Sequence, residues 1–403
     1  MRKAGRLFSL TVLLVSEVAA MSTWFATTAS LSAIRAKVSL TPFHEALLTS
    51  SAQAGFVAGT LFSALLSLPD RFDLPRLFCA GATIAGLANI AILFFEPGSA
   101  ALPVTRFVTG ACMAAVYPVG MKLAATWAVR DLGLLIGLLV AALTLGSAFP
   151  HLVAAAGGLD WRWPVAAAAA CALLAAGLIR LAALGPNLPT VAPLRLKNAL
   201  QAWQNRGVRL ANLGYLGHMW ELYAMWAWIG TFFAASFHLR YGATPPMSAE
   251  LAAFAVVAVG ALGAMAGGWA ADQYGRAIIT IVAMAVSGLC AACIGLLFDG
   301  PAWPLLLLGL VWGMAVIADS AQFSAAVAEL SERTLIGTLL TVQTSMGFLL
   351  TLVSIQLIPV VVGWVGWENA FMVLAIGPFL GIFAMARLRR AAAADEIIGM
   401  NPQ

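Results

Sequence analysis

The stretch Glu17-Val18-Ala19-Ala20-Met21-Ser22-Thr23-Trp24 returns 204 positions later as Glu221-Leu222-Tyr223-Ala224-Met225-Trp226-Ala227-Trp228, with glutamate, alanine, methionine and tryptophan in register. Two more pairs recur at nearly the same offset. Asp70-Arg71-Phe72-Asp73 is matched by Asp272-Gln273-Tyr274-Gly275-Arg276 at 202, and Trp161-Arg162 by Trp367-Glu368 at 206. Three local matches at one spacing indicate a duplicated unit of half the chain. The repeated glutamates stand inside long apolar runs, and what those runs are decides the fold.

Of the 403 residues, 62% are hydrophobic and 10% charged, with a mean hydropathy of +0.93. Soluble domains are about half apolar and about a quarter charged, so this surface needs lipid. The low charge excludes a disordered chain, five cysteines exclude a disulfide scaffold, and a net charge of +5 gives no sign of a nucleic-acid partner. A helix crossing a bilayer needs about 20 mostly apolar residues. Twelve stretches qualify: 8–33, 47–69, 76–96, 101–128, 132–156, 163–184, 208–236, 247–270, 277–298, 302–328, 335–362 and 368–387. The first follows Arg2, Lys3 and Arg6 in the manner of a signal peptide, but its length and Glu17 favour an uncleaved span.

With Met1 inside, the inner loops hold 16 of the 22 Lys and Arg residues: Arg2, Lys3, Arg6, Arg71, Arg76, Arg130, Arg180, Arg195, Lys197, Arg206, Arg209, Arg276, Arg333, Arg387, Arg389 and Arg390. The outer loops hold Arg35, Lys37, Arg162 and Arg240. That bias predicts both termini in the cytoplasm. A polar interruption carrying Pro186, Pro189 and Pro193 separates six spans from six. The expected organisation is an N-terminal bundle over 1–184, a linker over 185–207 and a C-terminal bundle over 208–403. Parallel repeats of this kind place a binding site between halves near the bilayer midplane.

The loop Gly268-Trp269-Ala270-Ala271-Asp272-Gln273-Tyr274-Gly275-Arg276 resembles the Gly-x-x-x-Asp-x-x-Gly-Arg signature of the major facilitator superfamily. The first copy keeps Asp70 and Arg71 but has Ser67 and Asp73 where that family prefers glycine. Arg106-x-x-x-Gly110 is similar to the family's fourth-helix arginine motif. The fifth span has Gly146-Ser147-Ala148-Phe149-Pro150 in place of the glycine-proline pattern of the family's drug antiporters. The resemblance implies an all-α membrane fold of twelve helices in two homologous six-helix bundles. It also implies gating by Asp70, Arg71, Asp272 and Arg276, with Asp70 facing the start of the eleventh helix near Ile336 and Asp272 the start of the fifth near Leu134, an arrangement that holds the outward-open state.

Ionisable side chains inside a bilayer are costly and face a cavity or a partner. Here they are Glu17 in span one, Arg106 and Lys122 in span four, Glu221 in span seven and Asp319 in span ten, the helices that line the cavity in the resembled family. His218, Glu221, Met225 and Trp228 fall within about 80° at about 100° per residue. The matching stripe in span one is Leu14, Glu17, Met21 and Trp24, and Trp312, Asp319 and Gln322 share a face of span ten. Arg106 shares its face with Met113 and Tyr117, whereas Lys122 is either a gate partner or an interfacial anchor. The candidate substrate or proton site is therefore Glu17, Trp24, Arg106, Tyr117, His218, Glu221, Met225, Trp228, Asp319 and Gln322, with Glu221 carrying coupling beside His218.

Cys290-x-x-Cys293 lies in span nine without a thioredoxin-like context and reads as small packing residues. No cluster has metal-ligand spacing and no phosphate-binding Gly-Lys loop is present, which excludes ATP-driven transport by this chain alone. The expected function is a secondary active transporter of a small organic solute, proton-coupled, leaning to a metabolite or carboxylate carrier that uses Arg106 and His218. The alternative is a proton-antiporting exporter of amphipathic or drug-like compounds using Glu221 and Asp319. A third class is a solute sensor without transport. The expected partners are solute, protons and lipid, with no enzyme activity and with no cofactor beyond a proton gradient. The expected setting is a monomer, multi-pass in a bacterial inner membrane.

Overall fold

A computed structural model of the chain describes residues 5–129, 131–158, 160–187, 198–332 and 335–399, with side chains described as far as 391. Arg2, Lys3, Arg130, Arg195, Lys197 and Arg333 of the charge count, and Pro189 and Pro193 of the linker, lie outside the described residues. The described residues form helices and no strand. In chain order the main helices are α1 (Arg6–Met21), α2 (Pro42–Leu65), α3 (Leu74–Ile92), α4 (Ala101–Thr126), α5 (Leu132–Gly157) and α6 (Arg162–Leu181). There follow α7 (Arg206–Tyr241), α8 (Ala249–Tyr274), α9 (Arg276–Leu297), α10 (Ala302–Glu329), α11 (Ile336–Val365) and α12 (Trp367–Ala391).

Among the described residues nine helices are long and apolar enough to cross a membrane: α3 to α6 and α8 to α12. The other three fall short in length or in hydropathy. α1 is 16 residues long and carries the buried Glu17, α2 buries Thr49, Ser50, Ser51 and Gln53, and α7 buries His218 and Glu221. α7 is buried along most of its length, and a helix surrounded by protein is free to lose hydropathy where a lipid-facing one is not.

Several expected spans are broken rods. α1 ends at Met21, and the chain turns through 22–25 into two short helices, Ala26–Ala29 and Leu31–Arg35. α4 is interrupted between Met113 and Tyr117, where Pro118 opens the second segment. α10 is interrupted at Asp319. Proline explains the second break, since it lacks the N–H that continues the ladder. Below, the end of the bundle where α1 begins is the Arg6 end, and the opposite one is the Arg35 end.

Packing repeats with a shift of six helices. α1 lies on α5 and α6 as α7 lies on α11 and α12; α2 lies on α4 as α8 on α10; α3 lies on α4 and α6 as α9 on α10 and α12. Two seams join the sets, α2 against α11 and α5 against α8, and the same shift relates them. The α2–α4 and α8–α10 contacts are close because small residues line them. A Cβ on Gly110 of α4 would overlap the Ala52 backbone, and one on Gly263 of α8 the Met314 carbonyl. Gly263→Leu should therefore destabilise the protein by about 1–3 kcal/mol, the usual cost of overpacking, read as a lower thermal midpoint in detergent. An unchanged midpoint would mean that α8 and α10 are not pressed together there.

Candidate functional site

Where α1 breaks, the freed carbonyls need donors, and Arg106 supplies them. Its guanidinium is fully buried and donates to Thr23 O at 2.7 Å, to Trp24 O, to Leu48 O of α2 at 3.2 Å and, at 3.5 Å, to Asn89 of α3. The expectation that Arg106 faces a cavity is thereby corrected, because its donors are spent on backbone. The unbroken α7 has no such need.

Glu17 is also buried, but neither of its oxygens has a partner; its carboxyl lies against Gly120 of α4, where a Cβ would collide with it. Tyr117 opens the second segment of α4 and is half-buried. Glu221 occupies the equivalent place in the second half and is held firmly: Trp312 Nε1 of α10 donates to Oε1 at 2.7 Å and Ser287 Oγ of α9 to Oε2 at 2.8 Å. His218 is not Glu221's partner. Its Nδ1 stands 2.8 Å from Asp319 Oδ1 as a buried contact out of line for a hydrogen bond, and its Nε2 is unpartnered.

The stripe His218, Glu221, Met225 and Trp228 thus points into its own half, with Met225 buried and Trp228 Nε1 donating to Ile355 O of α11 at 2.9 Å. α7 is buried all round, so periodicity did not reveal which face meets the other half. That face carries Tyr223 and Trp226. Tyr223 lies 6.0 Å from Trp24 and 6.3 Å from Phe25, and Trp226 lies 5.8 Å from Phe25, centroid to centroid. Phe348 of α11 completes the group, 4.5 Å from Phe56 and 5.8 Å from Trp24. Of the expected site residues, Trp24 alone is seen in this ring cluster. Sequence reading missed Phe56, Trp226, Phe348 and Gln53; the last was detectable as an amide inside an apolar run.

At the Arg6 end, Lys122 Nζ pairs with Asp70 at 2.5 Å and donates to Pro69 O at 2.9 Å. Asp70's ion-pair partner is therefore Lys122 in its own half, where the resemblance implied α11. Arg71 is exposed. Ser67 adopts a left-handed φ of +51°; in the second loop Gly275, the counterpart of Asp73, stands at +86°, where Asp73 has a φ of −60°. The Asp272 carboxylate comes within 3.7 Å of the position a Cβ would take on Gly133, beside the start of α5 as expected. Gln322 is drawn to this end, apart from the ring cluster: Arg276 donates to Gln322 Oε1 at 2.8 Å and to Glu329 at 2.8 Å. Arg6 pairs with Asp131, and the Val129 N–H, with Arg6, holds that carboxyl below the usual carboxylate range. This tie outlasts mild acidification. At the Arg35 end a cavity of about 150 Å³ is lined by Ser32, Asp160, Ser248 and Glu250 among others.

Comparison with known proteins agrees with this architecture: a sequence model of the Major Facilitator Superfamily matches residues 13–318. No curated protein matches the chain as a relative.

If Arg106 holds the broken turn, both Arg106→Met and Arg106→Lys should lower the thermal midpoint. The Thr23 and Trp24 carbonyls left unpaired cost about 1–3 kcal/mol each, and a lysine's point charge does not reproduce the guanidinium fork that reaches both. A lysine variant as stable as the parent would show that charge alone suffices.

Proposed function

The chain belongs to the Major Facilitator Superfamily, and from that premise we propose a proton-coupled secondary transporter that moves a small organic solute by alternating access. The moving parts in this reading are residues 1–184 and 208–403, each a six-helix bundle, with the linker over 185–207. The repeated packing scheme supports that division, and counting α1, α2 and α7 as spans brings the total to twelve. The Lys and Arg bias supports cytoplasmic termini in a bacterial inner membrane.

Glu17 is the observation that carries proton coupling. A carboxyl buried without a donor bears no bare charge cheaply, so water or a partner must reach Glu17 before its proton leaves, and a change of access would bring one. Glu221, favoured from sequence, already has a donor on each oxygen. For the solute, the carboxylate reading needs a free cation. Arg106 is spent on carbonyls and His218 on Asp319, which favours the alternative of amphipathic, drug-like compounds exchanged for protons.

The test uses proteoliposomes and a labelled solute found by equilibrium exchange. Glu17→Gln should abolish uphill, pH-driven accumulation and keep counterflow exchange. If it concentrates solute as the parent does, coupling lies with Glu221 or Asp319. Asp272→Asn should weaken the tie to the start of α5, raising cysteine accessibility at the Arg6 end and slowing turnover with expression intact. Unchanged accessibility and transport would reduce the loop to a solvated turn.

A further inference from the structure

We propose that the ring cluster between the halves recognises an uncharged, planar aromatic solute bearing an amide-like donor and acceptor, held between Trp24 and Phe56 on one side and Tyr223 and Phe348 on the other. This deepens the transporter reading above and rests on it.

The rings come from both halves. Trp24 and Phe56 touch Phe348 at 5.8 and 4.5 Å, and Trp24 and Phe25 meet Tyr223 at 6.0 and 6.3 Å. When the halves part, each loses aromatic faces to water, and a flat aromatic solute replaces for each half what the other provided.

The polar atoms around these rings are incomplete. Trp24 Nε1, Trp226 Nε1 and both the nitrogen and the oxygen of the Gln53 amide are buried with no partner, on residues at most 1% exposed. Such groups are normally satisfied. Gln53 lies on the seam. One turn before it Ser50 accepts from Gln356 of α11 at 3.0 Å, and one turn after it Phe56 meets Phe348 of the same helix. Two indole donors and one amide ask for a solute with acceptors and a donor.

Charge is what the seam does not offer. Arg106 is turned to backbone carbonyls, Glu221 to Trp312 and Ser287, Asp319 to His218, and Glu17 to Gly120 of α4. An aromatic carboxylate entering the rings finds no free cation, and an aromatic amine finds no carboxyl among the rings themselves, since Glu17, though unpartnered, lies against Gly120 of α4. The class that remains is uncharged.

Binding of four probes to the purified full chain, by titration calorimetry and thermal unfolding, tests this: naphthamide, naphthoate, naphthylmethylammonium and the saturated decalin carboxamide. Naphthamide should bind saturably and raise the midpoint, and the other three should not. Gln53→Leu should weaken naphthamide binding about tenfold and raise the midpoint of the empty protein, because it removes an unpaired buried amide; a merely structural glutamine would lower it. Trp226→Phe, which keeps a ring and removes the N–H, should also weaken binding. Preference for naphthoate or naphthylmethylammonium overturns the uncharged class, and equal binding of the saturated amide overturns ring recognition. In each case the transporter reading stands. Absence of all binding overturns the inference, whereas failure of every exchange assay in proteoliposomes overturns the transport reading itself.

Discussion

Charge in this bundle is settled within each half. All six ion pairs among the described residues join partners that both precede residue 185 or both follow residue 207: Arg6–Asp131, Arg35–Glu45, Lys37–Asp160, Lys122–Asp70, His218–Asp319 and Arg276–Glu329. His218–Asp319 is buried on both sides, whereas the other five are partly or largely exposed, and exposed pairs individually contribute little. None of the six has to break when the halves part. Kept inside each half, they stiffen the halves and leave the boundary free to open.

What crosses the boundary is soft. Rings of the turn after α1 and of α2 meet rings of α7 and α11, Gln356 donates to Ser50, and Asp272 approaches the start of α5. Ring contacts are individually worth about 0.5–1.5 kcal/mol beyond burial and are replaced without loss by a ligand of similar shape. The break in α1 belongs to the same design. Arg106 holds the turn at Thr23 and Trp24, and that turn sets Trp24 and Phe25 against α7 and α11. The strongest polar contacts of the first half thus position its most exchangeable surface.

The repeat was legible because duplication leaves identities at a fixed offset, and Glu17 and Glu221 do occupy equivalent places, each turned toward the fourth helix of its own half. The orientation of α7 was not legible. Helical spacing groups residues on a face, but for a helix buried on all sides it does not say which neighbour each face meets. That is why His218, Glu221 and Trp228 were read toward the seam where Tyr223 and Trp226 lie. Arg106 was found as a buried charge, yet its partners are carbonyls exposed by a break that no proline announces in 22–25. Gln322 was grouped with Asp319 by periodicity, whereas the interruption of α10 at Asp319 carries it to Arg276.

The central claim is that two internally satisfied halves move against each other as units. Double electron–electron resonance in nanodiscs tests it most directly, with one label pair at Phe72 and Ser331 on the Arg6 end and another at Ser39 and Ala243 on the Arg35 end. Changing pH should lengthen one distance as it shortens the other, while a pair placed within one half, Phe72 and Ala128, stays fixed. Distances at both ends that stay constant or change together, or an intra-half distance that shifts as much as the others, would contradict the account.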